Sequence, residues 1–379
     1  MLVSTGIGLM FGLGASVTAS IHLARKNIKT ARINVSQATI TSVAILTIIS
    51  IIILIFPEPT LRLLGCPDSL MDECKEYAYG FVPFLAINSL LCSGEFFIRL
   101  SGAPKYAMIC SLVASVINII LDYLFIFVFK FGLFGAAIAT STGLAIGSIM
   151  ILIYLLDKRH LLHIIKIKLS RKSLKLSLRN IGYMCRLGFS SLLGELAISA
   201  TMICGNYIFF KYMSEDGVAA YSIYGYFSPL VFMIYNAIAV SVQPIISFNY
   251  GIANRTRIRK ALTLALKISL GFGFVLFLLT ALFSDTVASM FIDSSSPVHA
   301  LASKGLPLIS LCFIPLAVNV VTVCYMQSIE QDKKANIITL LLGITISFSM
   351  KAEDFVQPAT LMIMGLGLVA FILDSMVGV

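Results

Sequence analysis

The chain has 379 residues, 58% of them hydrophobic and only 12% charged, with a mean hydropathy of +0.96. A soluble domain is nearer roughly 45–50% apolar and about 25% charged, so the excess apolar residues have to face lipid. The net charge of +10 does not mark a nucleic-acid partner, because the basic residues sit in short gaps between apolar runs.

A helix needs about 20 apolar residues to span a bilayer. Eleven runs approach or reach that length, at 2–20, 33–56, 77–98, 106–129, 133–156, 181–210, 218–247, 261–283, 305–328, 335–350 and 357–379. The tenth is short and the last is unusual in composition. Barrel strands alternate polar and apolar residues, whereas these runs are continuous, which lets each helix satisfy its own backbone groups. The fold class read from this is an all-α polytopic membrane protein of about eleven transmembrane helices. Met1 to Ser20 carries no basic residue ahead of its apolar run, so it is not a signal peptide.

The gaps orient the spans. Arg25, Lys26, Lys29 and Arg32 fill the first; Glu58, Asp68, Asp72, Glu73 and Glu76 outnumber Arg62 and Lys75 in the second. The fifth, 157–180, holds Lys158, Arg159, Lys166, Lys168, Arg171, Lys172, Lys175 and Arg179. Alternate gaps sum to 20 basic residues on one side and 6 on the other. Lys and Arg accumulate in cytoplasmic loops, so 157–180 and the C-terminus are expected inside and Met1 outside, in a multi-pass protein of the plasma membrane.

The gaps also repeat. The acidic gap near Pro57 has a counterpart near Asp285, and Lys105 has one in Lys333, both 228 residues on. The expected organisation is two pseudo-symmetric bundles: 1–156, a cytoplasmic linker 157–180, and 181–379. The second half has two spans before its first basic gap and the first half has one. A complete repeat of six helices therefore requires another helix ahead of Met1, and would relate the halves by an axis along the membrane normal.

The eight cysteines form no CxxC metal spacing. Six lie in apolar runs, where packing is their expected role. Cys66 and Cys74 share one loop.

Ionisable groups inside spans are costly and mark function. They are Glu95, Asp122, Arg186, Glu195, Lys267 and Asp374. Asn118 precedes Asp122 by four residues, so the two share a helix face. A tight Lys130–Phe131–Gly132 turn then brings Thr140 of the next span to the same depth. A carboxylate, an amide carbonyl and a hydroxyl offer oxygen ligands to a hard cation or form a proton-relay site; the alternative is an Asp that braces neighbouring helices. Glu195 lies mid-span, with no basic residue one turn away at 191, 192, 198 or 199. A carboxyl at the bilayer midplane serves as a proton carrier or a counter-ion to a cationic substrate, or else makes a structural hydrogen bond. Glu95, Arg186, Lys267 and Asp374 lie nearer cytoplasmic ends and read as snorkelling. Gln243–Pro244 sits four residues from the end of its span, where proline frees a carbonyl or simply marks a helix terminus. Gly8–Gly12 and Gly143–Gly147 have the spacing of close helix contacts.

SGAPKYAMICSLVASVINIILDYLFIFVFKFGLFGAAIAT resembles the signature of the MATE (multidrug and toxic compound extrusion) family around its helices four to six, and SVQPIISFNYGIANRTR is similar to the counterpart after helix eight. The resemblance covers residues 1 to about 345. It implies two six-helix bundles around a central cleft and a secondary antiporter, not an enzyme, that exports cationic or amphipathic compounds in exchange for Na+ or H+. No cofactor is implied beyond that coupling ion. Asn118, Asp122 and Thr140 match the family's cation/proton site, with Na+ at Asp122 as its one metal candidate, while Glu195 matches its helix-seven acid; Glu195 and Gln243 are the substrate and coupling residues. The partners implied are small organic cations and the bilayer, with the protein a monomer. Two departures stand out. The family's first helix is missing, with the acid that partners Asp122 in many members, and the chain from about Ser347 does not resemble the usual ending. The expectation is an incomplete antiporter that, as it stands, is not competent in transport. The alternatives are a lipid-linked oligosaccharide flippase of the wider superfamily, whose pyrophosphate cargo calls for several cavity cations, or an inactive truncated product.

Overall fold

A computed structural model describes residues 2–63, 66, 70–167 and 170–348. The run at 357–379, Asp374 and the chain from 349 onward lie outside the described residues. Within them every regular element is helical.

In chain order the α-helices are α1 (Leu2–Ala24), α2 (Ile28–Ile55), α3 (Pro57–Leu63), α4 (Met71–Phe81), α5 (Leu85–Leu100), α6 (Pro104–Asp122) and α7 (Gly132–Leu156). They continue with α8 (Arg171–Gly251), α9 (Arg255–Leu282), α10 (Ser284–Ser289), α11 (Pro297–Ser310), α12 (Phe313–Ser328) and α13 (Asp332–Phe348). Among the described residues seven stretches are long and apolar enough to cross a membrane: 3–24, 28–55, 71–100, 104–128, 132–156, 229–251 and 255–282. The expected third run is two helices, α4 and α5, joined by a 3-10 turn over Val82–Phe84, because Pro83 has no N–H to give to an α-helical bond. The expected ninth run is likewise divided between α11 and α12.

Helix α8 covers the 81 residues Arg171–Gly251, yet it is not a straight rod. Phe209 and Tyr221 stack with ring centroids 4.8 Å apart, whereas twelve residues of straight helix cover about 18 Å. The chain therefore bends back between them, dividing α8 into a first and a second arm where separate runs at 181–210 and 218–247 were expected.

The internal repeat is written in the backbone. The helices α2 and α9 are both 28 residues long and begin 227 positions apart (28 and 255). The helices α5 and α12 are both 16 residues long and begin 228 apart (85 and 313), as α6 and α13 do (104 and 332). The stop signals repeat as well. Asn27 caps α2 by accepting from Thr30 N at 3.2 Å, and Asn254 caps α9 by accepting from Arg257 N at 3.1 Å. Left-handed residues precede them, Lys26 (φ 61°) and Ala253 (φ 55°), and another pair ends α5 and α12, Gly102 (φ 89°) and Glu330 (φ 63°).

The chain forms two compact units, residues 1–195 and 196 onward. In the first, α1 is buried on nearly every side, with Phe11, Ala15, Val17 and Ala19 fully covered. It packs against α2 and α5, while α7 packs against α4, α5 and α6. Its other neighbour is the first arm of α8. A Cβ placed on Gly188 would lie 1.9 Å from the Met10 carbonyl oxygen, and one on Gly14 would lie 2.1 Å from that of Met184. Only glycine permits this backbone approach, and in lipid such close van der Waals packing is a main source of helix association. In the second unit, Ile246, Ile258, Tyr325, Met326 and Ala335 join the end of α8 to α9, α12 and α13, and Val231, Tyr235, Phe313 and Ala317 make a second cluster. Cys66 and Cys74 are both free thiols.

Candidate functional site

The α6–α7 hairpin brings Asn118, Asp122 and Thr140 together. Lys130 (φ 54°) and Gly132 (φ 58°) adopt left-handed conformations that reverse the chain, and the amide of Asn118 then bridges the two helices. Its Nδ2 donates to Asp122 Oδ2 at 3.0 Å and to Thr140 Oγ1 at 3.4 Å. The helices meet closely because residue 143 is glycine: a Cβ there would lie 2.6 Å from the Ala114 carbonyl oxygen and 3.0 Å from Asn118 Cβ. From its other side α7 is tied down by Ser141, whose hydroxyl donates to Gly80 O at 3.0 Å, and by Ser148, which donates to Ile87 O at 2.8 Å.

Asp122 is the last α-helical residue of α6. The next turn, Tyr123–Val128, is π-helical, a local widening that is frequent at functional sites. Phe125, Phe129 and Phe131 pack around that end with centroids 5.6–6.0 Å apart. All three polar residues are partly exposed, and among the described residues no cation is within ion-pair distance of Asp122. A carboxylate held by an amide and flanked by a hydroxyl can bind a hard cation through oxygen or exchange a proton.

Glu195 lies elsewhere in the first unit, beside α1: its Cβ would be 3.5 Å from a Cβ on Gly6. Polar residues occur on α1 and α5 nearby. Asn88 of α5 donates to Ser4 Oγ at 3.2 Å and accepts from the Cys92 thiol. Gln243 is fully buried in the second unit, donating through Nε2 to Ser247 Oγ at 3.1 Å, while Ser247 donates to the Gln243 carbonyl at 2.9 Å. The helix continues through Pro244. The hairpin thus unites three of the expected residues, and Glu195 and Gln243 each occupy their own surroundings.

Two polar groupings escaped the sequence reading. Glu95 does not snorkel: its carboxylate accepts from Arg99, one turn on, and from Ser111 of α6, and its side chain is only 18% exposed. The Glu-to-Arg spacing of four was a usable signal. The second joins α2 to the 157–180 segment. Asn180 donates to Asn34 Oδ1 at 2.8 Å and to Gln37 Oε1 at 2.6 Å, Gln37 donates to Ser177 at 2.7 Å, and Arg32 Nε donates to the Leu161 carbonyl at 2.9 Å. These partners are more than a hundred residues apart, so no spacing rule reveals them.

The chain is similar to the multidrug export protein MepA of Staphylococcus aureus, 23% identical over 347 residues that cover 90% of this chain and 74% of the relative. It is also similar to the MepA of Staphylococcus saprophyticus, 24% identical over 351 residues, covering 91% and 74%. Its fold resembles that of the Vibrio cholerae MATE transporter VcmN, with a TM-score of 0.86 and 19% identity over all of this chain and 86% of that one. A MOP superfamily transporter from Pyrococcus furiosus, described as having a binding pocket of reverse polarity, superposes with a TM-score of 0.81 and 21% identity over 100% and 83%. The MatE family model matches residues 1–124 and 176–350, well over half of the chain, and the protein belongs to this MATE family of membrane efflux transporters.

Proposed function

We propose that the protein is a secondary antiporter that exports cationic, amphipathic organic compounds in exchange for Na+ or H+, with Asn118, Asp122 and Thr140 as the coupling-ion site. The observation that carries this reading is the Asn118 amide, which holds the Asp122 carboxylate beside the Thr140 hydroxyl across the α6–α7 hairpin. An ion or proton drives a conformational change only if two states hold it with different affinity. A site spread over two helices meets that condition, because a shift of α7 against α6 separates its ligands. Glu195, near mid-span and beside α1 at Gly6, is the counter-ion for a cationic substrate, and Gln243 assists coupling from the second unit. The protein works as a monomer in the plasma membrane, with 157–180 and the C-terminus cytoplasmic and acting between bundles formed by 1–156 and 181–379. The name of the MepA relatives, multidrug export protein, supports export of drugs.

The test is reconstitution in vesicles with an imposed Na+ or H+ gradient and a fluorescent organic cation. Gradient-dependent dye movement is expected, and Asp122→Asn should abolish it with membrane insertion intact. Equal movement in wild type and variant overturns the assignment. Glu195→Gln should weaken export of cationic dyes more than of neutral ones; equal loss for both marks a structural role.

A second reading, flipping of a lipid-linked anionic oligosaccharide, draws on the reverse-polarity transporter. Such cargo needs cations inside the spans. Only Arg186 and Lys267 occur within apolar runs, and Lys267 is exposed at a groove along α9, which favours the cationic substrate.

A further inference from the structure

The first two turns of α9 carry Arg255, Arg257, Arg259 and Lys260, and Lys267 follows two turns later. Four of these cations, with Thr256, Thr263 and Leu264, line a groove of about 560 Å³. Helical side chains lean toward the N-terminus, so Lys267 reaches back along α9 to the same groove as Arg255. All four groove cations are exposed, and among the described residues none has an acidic partner within ion-pair distance.

The repeat shows what such a face requires. Arg32 on α2 is the counterpart of Arg259, 227 positions earlier, and it donates to a backbone carbonyl of the 157–180 segment. That segment also donates to Ser36, from Ile165 N at 2.9 Å. On α9 the counterparts of Asn34 and Gln37 are Ala261 and Leu264, so the polar anchors are gone while the cations have increased. From the groove onward α9 presents an exposed apolar stripe: Leu264, Ile268, Phe272 and Val275 succeed one another at spacings of three and four, exposed by 59, 42, 49 and 51%. An anionic oxygen-rich group against the cations, continuous with hydrocarbon against this stripe, is the chemistry of one kind of molecule.

We propose that the groove on α9 binds the phosphate headgroup of an anionic phospholipid, with its acyl chains along Leu264, Ile268, Phe272 and Val275. Arg255, Arg259, Lys260 and Lys267 neutralise the phosphate, and Thr256 and Thr263 donate hydroxyl hydrogen bonds to its oxygens. A free phosphate has no use for the apolar stripe and a zwitterionic lipid none for four cations, so the site discriminates by charge and by chain. Anionic lipid thereby does for the second half what the 157–180 segment does for the first: it supplies acceptors to the basic end of the helix.

The test uses the whole chain in phosphatidylcholine vesicles containing a minority of spin-labelled phosphatidylglycerol, compared with spin-labelled phosphatidylcholine. Motionally restricted signal should favour phosphatidylglycerol. Each cation near an anionic headgroup is worth about fivefold, so Arg259→Gln/Lys260→Gln should cut that preference by roughly tenfold or more. Arg259→Lys/Lys260→Arg should keep most of it, and Arg25→Gln/Lys29→Gln, at the turn into α2 and in its first turn, should keep all of it. Excess inorganic phosphate should not displace the labelled lipid. No preference in the wild type, an unchanged preference in the Gln variant, or displacement by inorganic phosphate overturns the proposal. The wild-type comparison and the charge-preserving variant decide the matter even if the Gln variant fails to insert.

Discussion

The two halves of this chain share a scaffold and differ in their chemistry. Helices α2 and α9 have the same length and the same Asn cap, and α5 and α12 the same length and the same left-handed end. At equivalent positions, however, Asn34, Gln37, Glu95 and Asn118 of the first half become Ala261, Leu264, Val323 and Ile346 of the second. Helix ends are fixed by backbone needs that few residue types meet, so a repeat preserves them. Side chains on the helix faces meet no such rule, and one half can hold the polar groups while the other carries apolar residues.

The sharpest test removes that chemistry and keeps the scaffold. Asn118→Leu gives α6 an apolar residue, as at its counterpart in α13, and should weaken coupling-ion affinity by roughly ten- to a hundredfold, as loss of a ligand-orienting partner does. Ion dependence of dye transport in vesicles measures this, and an unchanged dependence would detach Asn118 from the site. Next come the helix contacts. Gly143→Ala places a methyl group 2.6 Å from a carbonyl oxygen and should cost about 1–3 kcal/mol. Gly271→Ala on α9, where a Cβ meets nothing within 4 Å, should be neutral or stabilising by up to about 1 kcal/mol. Thermal unfolding in detergent distinguishes the two, and equal effects would refute the tight α6–α7 contact.

Removal of the tether between α2 and the 157–180 segment should be comparable. Asn180→Ala leaves buried acceptors on Asn34 and Gln37 and should cost about 1–3 kcal/mol, with faster proteolysis of 157–180 as the readout. At the left-handed ends the halves should respond in opposite directions. Glu330→Gly should stabilise and Gly102→Ala destabilise, each by about 1–2 kcal/mol; the same sign at both would break the equivalence.

The smallest effect belongs to the acidic gap. Lys75 hydrogen-bonds Glu58 and its charge adds to the hold, keeping the Glu58 carboxyl below the usual carboxylate range. A depressed pKa contributes stability above the ordinary Glu value and loses it as pH falls through the folded one. Acidification below the carboxylate range should loosen α3 from α4 slightly, seen as faster amide exchange in α3. Because the pair is exposed, salt should mute the effect.

The sequence by itself determined the class of molecule and the places where helices stop. Continuous apolar runs, Asn caps and proline act over a few residues, and lipid leaves a hydrophobic segment no other economical form than a helix. Helical spacing alone placed Asn118 beside Asp122. Only the tertiary structure decided that one amide bridges Asp122 and Thr140, that Glu95 is clasped by Arg99 and Ser111, that Glu195 faces α1, and that Asn180 reaches α2 from 143–146 residues away. Those relations depend on which helices touch. That depends in turn on where glycines such as Gly14, Gly143 and Gly188 let backbones approach, because lipid supplies no hydrophobic force to choose one helix neighbour over another.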